Sequence, residues 1–146
     1  MFRGRSLHSL DGKGRIRIPP RFRDILRDRY DDRLIVTNFN LCLIAYPLSE
    51  WEKIEEKFGT LSLVRQDVKS FQRLFISGAT ECSFDRQGRI LIPQTLRDIA
   101  RLEREVMLAG MINNFEIWSR PLWEEEFNRA HENFPQITET ISGLGI

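Results

Sequence analysis

Residues 10–25 read LDGKGRIRIPPRFRDI, and residues 84–99 read FDRQGRILIPQTLRDI. Set against each other at an offset of 74, they share nine identities in sixteen positions with no gap. Asp11, Gly14 and Arg15 match Asp85, Gly88 and Arg89. Ile16, Ile18 and Pro19 match Ile90, Ile92 and Pro93. Arg23, Asp24 and Ile25 match Arg97, Asp98 and Ile99. Two further positions exchange one apolar residue for another. Self-similarity at a fixed offset marks a duplicated structural unit. The echo continues at an offset of 72, where Tyr46 and Trp51 match Trp118 and Trp123. We read the chain as two copies of one unit, residues 1–74 and 75–134, followed by a flexible tail over residues 135–146.

The quoted stretch also sets the local structure. Asp-x-x-Gly-Arg is a turn: the Asp carboxylate bonds its own backbone a few residues on, and Gly accepts positive φ. Arg15-Ile16-Arg17-Ile18 alternates with period two, so it reads as a half-buried strand with the isoleucines inward and both arginines outward. Pro19 and Pro20 stop the strand, since proline donates nothing to a ladder. A short helix follows with Phe22, Ile25 and Leu26 on one stripe. Leu34–Thr37 and Leu41–Tyr46 form a hairpin around residues 38–40, and Ser49-Glu50-Trp51-Glu52 reads as a capping box opening the next helix. The second copy repeats the order with a turn at Asp85–Gly88, strand Arg89–Ile92, helix Gln94–Leu102, strands near Glu105–Ala109 and Phe115–Trp118, and a helix from about Pro121. Between copies, Leu61, Val64, Val68, Phe71 and Phe75 recur at helical spacing and predict a linking amphipathic helix near residues 61–76. One unit alone hides an apolar face poorly; two copies packed together complete one barrel-like α+β core.

Composition narrows the function. The chain has 146 residues and a net charge of +1, with 41% hydrophobic and 29% charged residues. This fits a soluble globular protein, and no apolar run approaches the ~18 residues of a membrane helix. The basic start lacks the apolar core of a secretory signal. Cys42 and Cys82 sit far apart among apolar residues and read as buried free thiols of a cytoplasmic protein. With two histidines (His8 and His131), no HExxH, no paired CxxC and no Walker lysine, the sequence points to no catalytic residues, no metal and no cofactor. The near-neutral total hides a split. Residues 1–29 hold nine Arg or Lys and three Asp, a balance of +6, while the remainder is −5. Such asymmetry points either to a polyanionic partner or to a solvated face with no partner.

Double-stranded DNA fits that partner. Lys and Arg supply affinity by neutralising phosphates, and a few side chains that reach base edges supply specificity. In the first turn Lys13, Gly14 and Arg15 form a slim basic tip, with Asp11 fixing the turn and orienting Arg15. A plain surface ion pair between Asp11 and Arg15 is the competing reading. In the second turn Asp85 holds the same place, Arg86 stands where the first copy has Gly12, Gln87 replaces Lys13, and Arg89 keeps the position of Arg15. We expect the main base contact from the first tip and added phosphate contacts through Arg86. Arg3 and Arg5 add further phosphate contacts or are simply a solvated N-terminus. The alternative to DNA binding is an oligomeric protein-interaction module anchored by Trp51, Trp118, Trp123 and the phenylalanines.

These motifs carry a family resemblance. The paired Asp11–Arg15 and Asp85–Arg89 motifs, the opening MFRG, YPLSEW at Tyr46–Trp51 and GATEC at Gly78–Cys82 resemble the MraZ family of bacterial transcriptional regulators, from Met1 to about Phe127. The resemblance implies a tandem AbrB-like swapped-hairpin barrel with short flanking helices, assembled as a ring-shaped homo-oligomer. It further implies binding to short direct repeats upstream of the division and cell-wall gene cluster that begins with the regulator's own gene, and hence a cytoplasmic location at the nucleoid. It implies no enzyme activity, no small-molecule substrate and no membrane partner.

Overall fold

The computed structural model describes residues 1–61 and 64–146. The first half holds strands β1 (Arg5–Ser9) and β2 (Arg15–Arg17), helix α1 (Pro20–Arg29), strands β3 (Arg33–Phe39) and β4 (Cys42–Pro47), and helices α2 (Leu48–Gly59) and α3 (Gln66–Phe75). The second half repeats the plan: β5 (Thr80–Ser83), β6 (Arg89–Leu91), α4 (Gln94–Ile99), β7 (Glu105–Gly110), β8 (Phe115–Ser119), α5 (Arg120–Glu132) and α6 (Phe134–Gly143).

The two halves interleave rather than stand side by side. One antiparallel sheet runs β1-β7-β8-β4-β3-β5, and β2 pairs only with β6. Each half therefore lends its first strand to the other: β1 lies along β7, with Arg5 opposite Ala109, and β5 lies along β3, with Val36 opposite Thr80. The order is unchanged when the two repeats are exchanged. An approximate two-fold axis accordingly passes between β4 and β8, where Ile44 faces Glu116, and between β2 and β6, where Ile16 faces Ile90.

This topology modifies the expected barrel. Among the described residues the six-stranded ladder is not closed, and β1 and β5 are its edges. The β2–β6 ribbon spans the opening. It meets β1 through the Leu10–Ile16 bridge and β5 through the Cys82 thiol, 3.4 Å from the Leu91 carbonyl. An edge strand exposes unpaired backbone groups, and the ribbon covers part of both edges.

Packing joins the halves as pairing does. The main core takes Phe22, Leu26, Leu34 and Leu43 from the first repeat and Ile92, Leu96, Val106, Phe115 and Ile117 from the second, all at most 2% exposed. Phe22 and Phe115 lie 5.0 Å apart between ring centroids, and Phe2 meets Phe22 edge-on at 5.3 Å. Such aromatic pairs contribute about 0.5–1.5 kcal/mol beyond area burial. Phe2 is strapped in place by reciprocal backbone hydrogen bonds with Ile112 at 2.7 and 2.9 Å. Cys42 and Cys82 are free and buried in different clusters. Burial pushes both thiols up, Cys82 to about 11.

Several local expectations need correction. Helix α2 opens two residues earlier than the capping-box reading required: Pro47 and not Ser49 is its N-cap, no side chain caps it, and Ser49 lies inside the first turn. The matching position in the second repeat, Ser119, does cap α5 by accepting a hydrogen bond from the Leu122 N–H at 3.2 Å. The linking helix covers only Gln66–Phe75, so Leu61 and Val64 precede it, and residues 62 and 63 lie outside the described residues. Its buried end, Phe75, seals a second cluster with Ile35 and Trp51. Helix α4 ends at Ile99, short of Leu102. The segment read as a flexible tail contains helix α6, which buries none of its residues.

Candidate nucleic-acid interface

Both Asp-x-x-x-Arg turns close in the same way. Asp11 Oδ1 accepts hydrogen bonds from the backbone N–H of Lys13 and of Arg15, both at 2.9 Å, and Oδ2 accepts from Arg15 Nε at 2.7 Å. Asp85 Oδ1 accepts from the backbone N–H of Gln87 at 2.8 Å and of Arg89 at 2.9 Å, and Oδ2 accepts from Arg89 Nε at 2.8 Å. One carboxylate thus fixes the loop with one oxygen and aims the arginine with the other. The Arg15 backbone N–H, then its guanidinium and the Lys13 N–H, hold the Asp11 carboxyl down at about 2. The Arg89 N–H lowers Asp85 in the same sense.

Glycine is required at the fourth position of each turn. Gly14 and Gly88 have φ of +88° and +74°, a region costly for residues with a Cβ. Each also lies beneath an arginine of the opposite repeat. A Cβ on Gly14 would sit 2.5 Å from the Arg97 guanidinium, and one on Gly88 would sit 2.4 Å from that of Arg23. The motif of one repeat is thus covered by the helix of the other.

The turns feed a short antiparallel ribbon. In β2–β6, Arg15 pairs with Leu91, Ile16 with Ile90, and Arg17 with Arg89. The Ile92 and Ile18 N–H groups extend the ladder to the carbonyls of Gly14 and Gly88, at 2.9 and 3.1 Å. Directly opposed residues share a face. Ile16 and Ile90 therefore point into the core, each 1% exposed, while Arg15, Arg17, Arg89 and Leu91 form the outer face. Arg17 and Arg89 stand directly opposed, a like-charge pairing that the Asp85 carboxylate on Arg89 offsets. Arg89 also reaches across to Asp11 Oδ2 at 3.8 Å, which ties the two turns together.

The structure brings Lys13, Gly14, Arg15, Arg86 and Arg89 to this ribbon and its two tips. Arg17 belongs with them, and the Arg-Ile-Arg-Ile alternation is the signal for it. Arg3 and Arg5 lie elsewhere. Arg5 stands at the far end of β1, opposite Ala109, with its guanidinium 4.8 Å from the Phe127 ring centroid, and Gly110 packs against the Arg3 backbone. At about 3.3 Å per strand residue, Arg5 is roughly 17 Å along the chain from the bridge at Leu10. His8 is bonded to Ser6 Oγ at 2.7 Å, and burial, then Arg21, lowers its pKa. Trp51 and Trp118 are core residues and Trp123 is half-buried. Among the described residues no group of His, Cys, Asp and Glu side chains is placed to hold a metal, and no helix is long and apolar enough to cross a membrane.

Comparison with known proteins agrees with the duplicated architecture. The family profile described as "MraZ protein, putative antitoxin-like" matches residues 1–74 and again residues 75–143. The chain belongs to the MraZ family. A protein named transcriptional regulator MraZ from Syntrophobacter fumaroxidans (strain DSM 10017 / MPOB) is 48% identical over 145 residues, covering 99% of this chain and 97% of its own length. MraZ relatives with the same name are found in Pelotomaculum thermopropionicum (strain DSM 13744 / JCM 10971 / SI), 44% identical over all of this chain and 99% of their own, and in Desulfitobacterium hafniense (strain Y51), 41% identical over the whole of both chains. These MraZ proteins are named as regulators, not as enzymes.

Proposed function

We propose that this chain is a sequence-specific DNA-binding transcriptional regulator that lays its β2–β6 ribbon in the major groove. The observation that carries this reading is the ribbon's outer face, where Arg15, Arg17 and Arg89 stand together and Asp11 and Asp85 aim two of them. A two-stranded ribbon fits the major groove, and Arg paired to guanine is the commonest specific contact there. The naming of full-length relatives as transcriptional regulators supports the same reading.

In this reading Arg15 makes the principal base contact, and Arg17 and Lys13 flank it. The DNA is a set of short direct repeats upstream of the division and cell-wall cluster, including the regulator's own gene. One ribbon is a small footprint, so a ring of identical chains at the nucleoid joins several weak contacts into one strong one. The exposed apolar residues of α6 and its end (Phe134, Ile137, Ile141 and Leu144) supply surface for contacts between copies.

Footprinting on DNA upstream of the chain's own gene, run with Arg15→Ala at fixed salt, tests the site. Protection at regularly spaced repeats, abolished in Arg15→Ala, is the expected result. Unchanged operator affinity in that variant rules the ribbon out. Native mass spectrometry tests the ring, and a monomer at working concentration removes it.

A further inference from the structure

The two tips are covered by different arginines, and they are not equally engaged. At the first tip Arg97 of α4 lies across Gly14 and donates its Nε to the Ile92 carbonyl at 2.9 Å. At the second tip Arg23 of α1 lies across Gly88, yet its Nε is buried and has no hydrogen-bond partner among the described residues. A buried charged donor without an acceptor is costly and calls for an explanation. Arg23 borders a cleft of about 240 Å³ at this tip, together with Arg27 and Arg86 and the carboxylates of Asp32 and Asp85.

Most of the negative charge near that cleft is already committed. Both oxygens of Asp85 are used within its own turn and on Arg89. Arg27 pairs with Asp24 at 2.7 Å and approaches Asp28 at 3.6 Å, and all three side chains are largely exposed. Such pairs hold weakly and exchange easily. Asp32 is the remaining carboxylate lining the cleft, a single negative charge set against three guanidinium groups.

We propose that Arg23, Arg27 and Arg86 form a phosphate-holding notch beside the ribbon, which grips the DNA backbone next to the second tip. Guanidinium groups hold phosphate oxygens in pairs, through planar and charge-assisted hydrogen bonds. The proposal rests on the DNA-binding reading above. It assigns the arginines of α1 to the second tip and not to their own, because the swap places α1 over Gly88. The first tip has a cleft of its own, about 620 Å³ and bordered by Asp11, Gly12, Arg97, Glu103 and Arg104, but there Arg97 is tied to the Ile92 carbonyl and Gly12 stands where the second tip has Arg86, so it offers fewer free guanidinium groups.

The test is fluorescence anisotropy with two labelled duplexes of equal length, one from upstream of the chain's own gene and one unrelated, over a salt series. Arg27→Gln and Arg86→Gln alter exposed side chains, and their double variant carries the test if Arg23→Gln lowers the melting temperature. Each substitution is expected to weaken both duplexes by the same factor of a few-fold. The slope of log affinity against log salt should shrink by about 0.9 for each phosphate that an engaged subunit no longer neutralises. Arg23→Lys, which keeps the charge, should retain most of the slope. Unchanged affinity and slope in the double variant, with Arg15→Ala still abolishing operator preference, overturns the notch and leaves the ribbon standing. Weakening confined to the operator duplex means base contact and overturns the phosphate assignment. If the native chain retains neither duplex at low salt, the ribbon reading falls and the notch falls with it.

Discussion

The first repeat is better buttressed than the second. Trp51 on α2 is 3% exposed because α3 folds over it: its ring lies 5.2 Å from Phe75, and Phe71 stacks on Phe75 at 5.1 Å. The matching Trp123 on α5 is half-buried, packed against Trp118 at 5.9 Å, with the exposed Phe127 beside it at 5.9 Å. Helix α6 follows α5 but buries none of its residues. Two near-copies of one unit therefore differ in whether the chain returns to cover its own tryptophan. The second repeat keeps an apolar surface that the first has used up internally.

Truncating the two tryptophans should expose that difference most strongly. Trp51→Ala should destabilise the chain by about 3–5 kcal/mol, as for a buried aromatic residue. Trp123→Ala should cost about 1–2 kcal/mol, since the ring is already half in water. Urea unfolding measures both, and equal costs would show that the two helices are equally buttressed. The glycines beneath the covering arginines come next. Gly14→Ala should cost about 2–4 kcal/mol, adding the loss of the Arg97–Ile92 hydrogen bond to the left-handed backbone penalty. Gly88→Ala should cost about 1–2 kcal/mol, because Arg23 has no such bond to lose.

The tips themselves should differ in DNA binding. Arg15→Ala should reduce operator affinity about 10- to 100-fold per engaged subunit, the range for removing one bidentate hydrogen-bonded pair to a base. Arg89→Ala should reduce it less, a difference that competition on one duplex resolves. The smallest contrast is in acid. Both motif carboxyls titrate below their ordinary value in the folded chain, Asp11 at about 2 against 3.8. A depressed folded pKa contributes stability above the unfolded value, and that contribution is lost as pH falls through the folded one. Both turns should therefore hold at neutral pH; the Asp11 turn should loosen between about pH 4 and 2, and the Asp85 turn should loosen only below the ordinary carboxylate range. Carboxyl NMR titration checks this, and a midpoint near 4 for either residue would mean an open turn.

Much of this arrangement is legible in the residues alone. The duplication, the Asp-fixed turns and the inward isoleucines follow from side-chain type and spacing, which act locally. Strands β1 and β5 are not legible in that way, because RSLHS and TECS lack an apolar alternation; a partner strand from the other repeat makes them strands. The Ser49–Glu52 pattern misplaces a helix start because Pro47 ends the strand sooner than a serine cap would. Residues 135–146 read as a flexible tail, yet residues 134–143 are helical. The positions of Arg23 and Arg97 lie beyond local reading altogether. Each sits in a helix of one repeat and covers a turn of the other, a relation that exists only after the halves have interleaved.

That interleaving has a consequence for symmetry. A two-fold pair of identical chains must show its surroundings two identical tips, and so it favours targets that read the same in both directions. Here both tips lie on one polypeptide, and they have drifted apart: Gly12 and Lys13 on one side, Arg86 and Gln87 on the other. The core keeps its near-symmetry while the surface gives it up. The ribbon consequently has a left and a right, and a molecule of this kind can face one way along a duplex.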